Sequence, residues 1–450
     1  MKFNTNEYLA SFVNWEPRLD QAGVSSFSVD RMDGLLKVFR HPESSLRFAH
    51  IAGSKGKGST AAFLANILRA AGYRVGLYTS PHLYSVHERI RVLDPDVRSS
   101  DSFEGMITPQ EFDEQLRSHQ GEIDRLRASG VDITYYELLT ALAVAHFAAK
   151  KVRLVVLETG LGGRLDATNI FETSVCGITP ISLEHTAILG GTLELIAAEK
   201  AAIIKSPSQR AVFARQEPGV MVVLKARAGL FGILPTLIGE DMPLNILSEG
   251  PDGVRFGVSG RREYSDLHAR LPGEHQAANA ALAIAMAEDL EAYGLVLTQD
   301  AACQGISSTV WPGRFEVFDG LRPVVVVDSA HTPQSAAACA RAFSKVFPGC
   351  QAVVLLGISR DKDIAGICAA LGPVAGRVVT AKADNPRAFA FSAQELGAYF
   401  PSKECVSFND VPSAMAGAVR LAGKSGIILA VGSVFLAAEV RKECINTHHI

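Results

Sequence analysis

Short runs of β-branched and aliphatic residues alternate with Ala- and Leu-rich stretches of helical length along most of the chain. Arg47–Ile51 predicts a strand, Ser59–Ala71 a helix closed by Gly72, and Arg74–Tyr78 the next strand. Tyr136–Lys150 predicts a helix, Leu154–Glu158 a buried strand and Val175–Thr179 another. Strands that are apolar throughout and separated by helices imply a mostly parallel sheet with crossover helices. Asp94–Thr108 is polar and without period, so it predicts an exposed loop or insertion, while Glu199–Lys205 predicts a helical segment. Residues 230–270 break the alternation with short strands and Gly/Pro/Asp turns, which predicts a β-rich edge; a helix over His275–Tyr293 follows. After the hinge-like Trp311-Pro312-Gly313 the alternation restarts with Val324–Val327, a helix from Pro333, Ala352–Leu356, a helix near Ile364–Leu371, Arg377–Thr380 and Gly426–Ala430. The pattern predicts two α/β domains, residues 1–310 and 311–450, the second of a size that suits a Rossmann-like fold.

Composition narrows the class. Among 450 residues, 48% are hydrophobic and 20% charged, as in a globular enzyme. A net charge of −3 argues against a general nucleic-acid binder. The seven cysteines are scattered, odd in number and never spaced as CxxC, so neither a disulfide framework nor a zinc site is expected. The N-terminus lacks the apolar core of a signal peptide, and the longest apolar stretch, Gly426–Val440, is broken by Gly432-Ser433. A cytoplasmic protein, monomeric and without membrane or nucleic-acid partners, is the expectation.

Candidate chemistry sits where predicted strands end. Gly53-Ser54-Lys55-Gly56-Lys57-Gly58-Ser59 reads as a glycine-rich turn opening a helix, where backbone N–H groups can face a polyphosphate. Lys57 would reach the terminal phosphates. Gly58 separates Lys57 from Ser59, so the segment departs from a strict Walker A motif. Ser80, in Thr79-Ser80-Pro81-His82, could offer a hydroxyl to magnesium, and Glu158 a carboxylate. Glu184-His185 follows a further strand. Asp328 and His331 again end a strand in the second half, with Arg314 just past the hinge. Each segment singly also has a plain reading, as a ligand-free glycine turn, a Ser-Pro turn, a solvated pair, a helix cap or a surface arginine. By periodicity alone Lys200 draws no comment.

Taken in order from about Arg31 to Arg441, these segments resemble the folylpolyglutamate synthase/dihydrofolate synthase family of the Mur ligase superfamily. Gly53–Ser59 is similar to the family's G-T-N-G-K-G-S loop, and Thr79-Ser-Pro-His-Leu83 with Glu88-Arg-Ile90 to its T-S-P-H-L and E-R-I. Leu161-Gly-Gly-Arg-Leu-Asp-Ala-Thr-Asn169 matches outright. Ile196-Ala-Ala-Glu-Lys-Ala201, Leu271–Asn279, Trp311-Pro-Gly-Arg314, Asp361-Lys-Asp363 and Glu439-Val-Arg441 complete the set.

The resemblance implies Mur ligase architecture, with a P-loop ATPase-like domain followed by a Rossmann-like ligase domain. It implies ATP-dependent, ADP-forming ligation of L-glutamate to dihydropteroate or a folate through an acyl phosphate. Lys57, His185 and Lys200 would be catalytic. Two Mg²⁺ ions would be held by Ser80, Glu158, His185 and a carbamylated Lys200. ATP would be bound by the Gly53–Ser59 loop with Asn279, Arg314, Asp328 and His331, across a cleft closing about residue 311. Thr134, Tyr135, Tyr136 and Glu137, which resemble T-x-F-E, would bind the pterin substrate together with Leu165, Asp166 and Ala167. Four departures stand out: Lys55 for asparagine, Glu184 for aspartate, Ala202 for glycine and Thr332 for asparagine. Lys55 is expected to tighten ATP binding. Two other readings stay open, a ligase with a non-folate acceptor and a catalytically inactive nucleotide-binding regulatory module.

Overall fold

A seven-stranded sheet organises the first part of the chain. Its strands are β1 (Arg47–Ala52), β2 (Val75–Tyr78), β3 (Ile90–Leu93), β4 (Leu154–Glu158), β5 (Thr173–Ile178), β6 (Arg210–Phe213) and β7 (Thr236–Leu237). They lie in the order β3-β2-β4-β1-β5-β6-β7, all parallel except the β2–β3 pair. The computed structural model describes residues 4–97 and 101–448.

Strands β1, β4 and β5 are almost wholly buried, which explains their unbroken apolar runs. Phe48, Val155 and Leu157 pack with Leu138, Leu142 and Phe147 in one core; Ala52, Cys176 and Ile178 pack with Ile196, Ile203 and Leu224 in another. The helix Lys57–Ala70 is buried from Ser59 to Arg69, so it runs as a core element with little polar face.

Strands β8 (Leu244–Gly250), β9 (Gly253–Ser259) and β10 (Glu263–Ala269) form a separate sheet in the order β10-β9-β8. The last sheet contains β11 (Glu316–Phe318), β12 (Val324–Val327), β13 (Ala352–Leu356), β14 (Ala375–Ala381), β15 (Glu404–Phe408) and β16 (Ile427–Val431). Its order is β11-β12-β16-β13-β14-β15, parallel apart from the antiparallel β11 edge. The chain forms two compact units. One comprises residues 1–245, 256–268 and 277–309, the other 246–255, 269–276 and 310–450. Among the described residues no helix is long and apolar enough to cross a membrane.

Two local expectations are corrected. Asp94–Thr108 is only partly an exposed loop: Val92 N donates to Gly105 O at 2.7 Å, Met106 bridges Arg91, and Ile107 is buried. The apolar Met106-Ile107 pair zips this segment back onto β3; residues 98–100 of the same stretch lie outside the described residues. The helix carrying Glu199 spans Leu193–Ala201 and stops before Lys205. Ile203 and Ile204 must both be buried there, and Pro207 bars helical continuation.

Candidate active site

Four neighbouring strands, β2, β4, β1 and β5, end on the same edge of the first sheet and carry the candidate residues on the loops that follow. From β1 the chain crosses to β2 on one side, and from β4 it crosses past β1 to β5 on the other, which makes this edge a topological switch point, the usual ligand position in an open α/β sheet. Adjacent strands lie roughly 4.8 Å apart, so all four loops fall within reach of one nucleotide-sized ligand.

The turn after β1 is held tightly. Gly53 has φ +145°, and a Cβ there would come 1.8 Å from Thr179 Oγ1; at Gly56, φ +89°, it would come 2.3 Å from Asn279 Oδ1. Asn279, buried on the helix Glu274–Leu290, is thus seated against the loop. Ser54 N and Lys55 N both donate to Pro180 O, at 3.0 and 3.2 Å, and Ser54 Oγ donates to Ser182 O at 3.0 Å. Gly56 is the N-cap of the helix from Lys57 and supplies no side-chain cap, which leaves the first-turn amides suited to an anion.

Charge gathers at the same turn. Lys57 Nζ donates to Gly53 O at 3.1 Å, and the buried Lys200 Nζ donates to the same carbonyl at 2.8 Å. Glu184 accepts from Lys200 at 2.9 Å through one oxygen and from Lys55 at 3.3 Å through the other. Burial alone would raise the Glu184 carboxyl, but Lys200, Lys55 and Lys57 hold it well below the usual carboxylate range. Burial pushes the Lys200 ammonium down to about 8, against the pull of Glu184. Three cations act on one carboxylate, so these four side chains together carry a net positive charge that suits a polyphosphate.

The metal candidates divide into two sets. Glu158 is buried at the end of β4 and accepts from Ser80 N at 3.2 Å, which puts a carboxylate beside a hydroxyl-bearing residue. Such hard oxygen donors fit Mg²⁺, which commonly takes one or two protein oxygens and completes its shell with phosphate and water. Lys200, in contrast, is an ammonium donating two hydrogen bonds, and in that form it ligates no metal. Among the described residues no three His, Cys, Asp or Glu side chains converge on a metal position. His185 follows Glu184 in a left-handed conformation (φ 46°) that opens the short helix Thr186–Leu189.

The acceptor candidates are held largely by one another. Thr134 and Glu137 form a capping box for the helix Tyr135–Ala149, and Glu137 also pairs with Arg31 at 2.7 Å. The Arg89 guanidinium lies 5.9 Å from the Tyr135 ring; Tyr136 sits 6.0 Å from Tyr78. Asp166 uses one oxygen on Gly160 N and Leu161 N, both at 2.9 Å, and the other on Thr168, so it organises the Gly160–Gly163 loop. Leu165 is half-buried and Ala167 buried beside it. Not foreseen in the sequence is a second cluster in which Arg89 grips Glu16 at 2.6 and 2.7 Å and donates to His82 at 2.9 Å. Burial, with Arg89 beside it, pushes His82 down to about 4, so it is a neutral acceptor here.

His50 was also hidden by its strand. It is fully buried on β1 and contacts Thr168 Oγ1 at 2.7 Å, continuing the Asp166–Thr168 chain into the sheet. Burial pushes its pKa down to about 3. A depressed histidine contributes stability that is complete above its ordinary 6.5 and is lost as pH falls toward the folded value. Unfolding by urea should therefore show about 2 kcal/mol less stability at pH 5 than at pH 8 from this group. His50→Gln should flatten the pH dependence by that amount, and an unchanged slope would refute the assignment.

In the second unit Arg314 acts electrostatically on Asp328, and His331 lies on the turn that follows. Asp328, after β12, accepts from Phe315 N at 2.8 Å and Ala330 N at 2.7 Å; burial raises its carboxyl while Arg314 opposes the rise. His331 Nδ1 lies 2.9 Å from Ser329 O, and His275 is pushed down to about 4 by burial and by Arg341 and Arg314. Two departures are absorbed locally. Thr332 caps the helix Pro333–Val346 through Ser335, a role threonine fills well. Ala202 ends its helix at φ −65°, where glycine is not required.

Known proteins bear directly on this arrangement. Residues 106–287 match the Mur ligase middle domain and residues 313–434 the Mur ligase glutamate ligase domain. The dihydrofolate synthase/folylpolyglutamate synthase of Mycobacterium tuberculosis is 35% identical over 416 residues, covering 88% of this chain and 82% of that protein. A Halobacterium salinarum protein named "Probable bifunctional folylpolyglutamate synthase/dihydropteroate synthase" is 34% identical over 410 residues, 89% of this chain but only 47% of its own length. The solved structure of E. coli FolC in complex with DHPP and ADP superposes with a TM-score of 0.82 at 28% identity, covering 100% of this chain and 99% of that one. The chain therefore belongs to the folylpolyglutamate synthase/dihydrofolate synthase family of Mur ligases.

Proposed function

We propose that this protein is an ATP-dependent ligase that adds L-glutamate to dihydropteroate or a reduced folate, forming ADP and phosphate. The observation that carries the nucleotide half is the convergence of Lys57 and Lys200 on the Gly53 carbonyl at a helix start with no side-chain cap. The acceptor half rests on the relatives' names and on the DHPP and ADP bound to E. coli FolC.

In this reading the Gly53–Ser59 amides and Lys57 hold the β- and γ-phosphates. The acceptor carboxylate attacks the γ-phosphorus, ADP leaves, and the glutamate amine then displaces phosphate from the acyl phosphate. Lys57 offsets charge on the transferring group. Mg²⁺ bound through Glu158 and Ser80 supplies further charge neutralisation on the phosphates. Lys200 has a second role once modified. Its depressed pKa of about 8 leaves a share of neutral amine near physiological pH, able to add CO₂, and the resulting carbamate would be an oxygen donor beside His185. In the second unit Arg314, Asp328 and His331 are assigned to the nucleotide.

Incubation with ATP, Mg²⁺ and L-glutamate, with dihydropteroate and tetrahydrofolate in parallel, tests the proposal by mass spectrometry. The expected products are heavier by one or more glutamyl residues, with ADP released in proportion. Phosphate release stimulated only by an unrelated carboxylic acid would reject the folate assignment. ATP binding without amide formation from any acceptor would favour a regulatory module.

A further inference from the structure

Fully buried on β1, the strand that runs into Gly53, His50 pairs with Leu157 of β4 on one side and Cys176 of β5 on the other. Its Nε2 lies 2.7 Å from Thr168 Oγ1, while Nδ1 is buried and meets no hydrogen-bond partner among the described residues. Desolvating an imidazole and satisfying one of its two nitrogens costs more than filling the space with an aliphatic side chain, so packing alone does not account for His50. Asp166 fixes the direction of the contact. Its Oδ2 accepts from Gly160 N and Leu161 N, both at 2.9 Å, and its Oδ1 from Thr168 N at 3.0 Å and Thr168 Oγ1 at 2.5 Å. Burial raises the Asp166 carboxyl, and these hydrogen bonds to the charged form oppose the rise. The Thr168 hydroxyl hydrogen is thus directed at Oδ1, which leaves Oγ1 to accept from His50. The ring is neutral, so the network assigns its one N–H to Nε2 and a bare lone pair to Nδ1.

We propose that His50 is a positioning residue for the acceptor: its Nε2–H orients the Thr168 hydroxyl, Thr168 anchors Asp166, and Asp166 holds the Gly160–Gly163 loop where the acceptor binds. This rests on the folate-ligase reading above, with Leu165, Asp166 and Ala167 at the acceptor. No proton moves along the link. It ties the loop after β4 to the strand that feeds the phosphate loop, so acceptor and nucleotide share one frame. Thr168 is fully buried, and its hydroxyl oxygen depends on His50 for a donor. With an apolar residue at position 50 that donor is lost and the hydroxyl is free to turn from Asp166, whose Oδ1 is then left with Thr168 N. The carboxylate loosens, and with it the two amides at the start of the loop.

Steady-state kinetics of the full-length enzyme with dihydropteroate test the role. His50→Leu should raise the acceptor KM about fivefold, the effect of one buried hydrogen bond, with kcat and the ATP KM within about twofold of the parent. His50→Gln, whose amide nitrogen can stand where Nε2 does, should recover most of the acceptor affinity. Thr168→Val should match His50→Leu, and the double variant should be no worse than Thr168→Val alone, because both act through one contact. Long-range ¹H–¹⁵N correlation spectra of the histidine rings read the link without turnover: the His50 signal, identified by its loss in His50→Gln, should be that of an Nε2-protonated ring and should shift in Thr168→Val. An unchanged acceptor KM in His50→Leu, additive effects of the two substitutions or an Nδ1-protonated ring each overturns the proposal. So does an equal loss of ATP and acceptor affinity with a lowered thermal melt, which would make His50 a packing residue. A parent enzyme that turns over neither dihydropteroate nor tetrahydrofolate rejects the folate reading and the positioning role together, whereas an active parent with an unchanged variant rejects the positioning role alone.

Discussion

Lys57→Ala is expected to lower ATP-dependent amide formation by about two to three orders of magnitude while leaving the fold intact. Its side chain makes one hydrogen bond, to the main-chain carbonyl of Gly53 at 3.1 Å. That carbonyl keeps Lys200 as a donor at 2.8 Å, so the turn loses no essential tie. Lys57 also repels Lys200, and removing it relieves a like-charge contact within the cluster. Stability should therefore hold or rise slightly. The phosphates lose the ammonium at the helix start, an interaction that matters most as charge moves in the transition state. The readout is kcat for ADP release beside a thermal melt. A fall smaller than tenfold with an unchanged melt would show that Lys57 is not the phosphate-facing cation.

Gly53→Ala should damage the loop itself. A Cβ at Gly53 would lie 1.8 Å from Thr179 Oγ1 and 2.9 Å from Thr179 O, and a backbone atom cannot move aside as a side-chain tip can. Its φ of +145° adds strain for any residue with a side chain. The combined cost is about 3 kcal/mol. Relaxation would displace the Gly53 carbonyl and with it both lysines that converge there, so ATP affinity should drop at least about a hundredfold, near 2.7 kcal/mol. Gly229→Ala serves as the control. It lies in a helix with nothing within 4 Å of the added carbon and should stabilise by about 1 kcal/mol. ATP binding within threefold of the parent in Gly53→Ala, measured by calorimetry, would contradict this account of the turn.

The parallel core was legible because buried strands have few ways to be written. Leu154–Glu158 and Ala352–Leu356 are apolar on both faces, and the structure returns both with the expected bounds. Polar elements were harder. The helix Pro109–Ala128 buries only Phe112, Leu116 and Ile123 deeply, so its apolar stripe is thin, and its start is marked mainly by the Thr108–Glu111 capping box. The helix Gln299–Ser308 depends similarly on Thr298 at its cap.

Site residues followed the same logic. Gly53–Ser59 announces itself because phosphate loops need glycines in a fixed local order. Lys200 does not, since only tertiary structure places it on the Gly53 carbonyl 147 positions away. Lys55 and Glu184 stood out singly as departures from the family pattern, and their meaning is joint. In the structure the Lys55 ammonium is within hydrogen-bonding distance of Glu184.

Strand order has a consequence for how this site comes into being. Strands β1 and β2 are consecutive in the chain, yet they do not touch; β4 lies between them. A nascent chain that has made the phosphate loop and the Ser80 turn cannot bring them together until Leu154–Glu158 emerges and inserts, and Glu184 waits for β5 beyond that. The loop-closure entropy of about a hundred residues must be met before any pocket exists. Nucleotide binding is thus a reporter of completed assembly in this unit, and early fragments of the chain would be blind to ATP however well their local helices form.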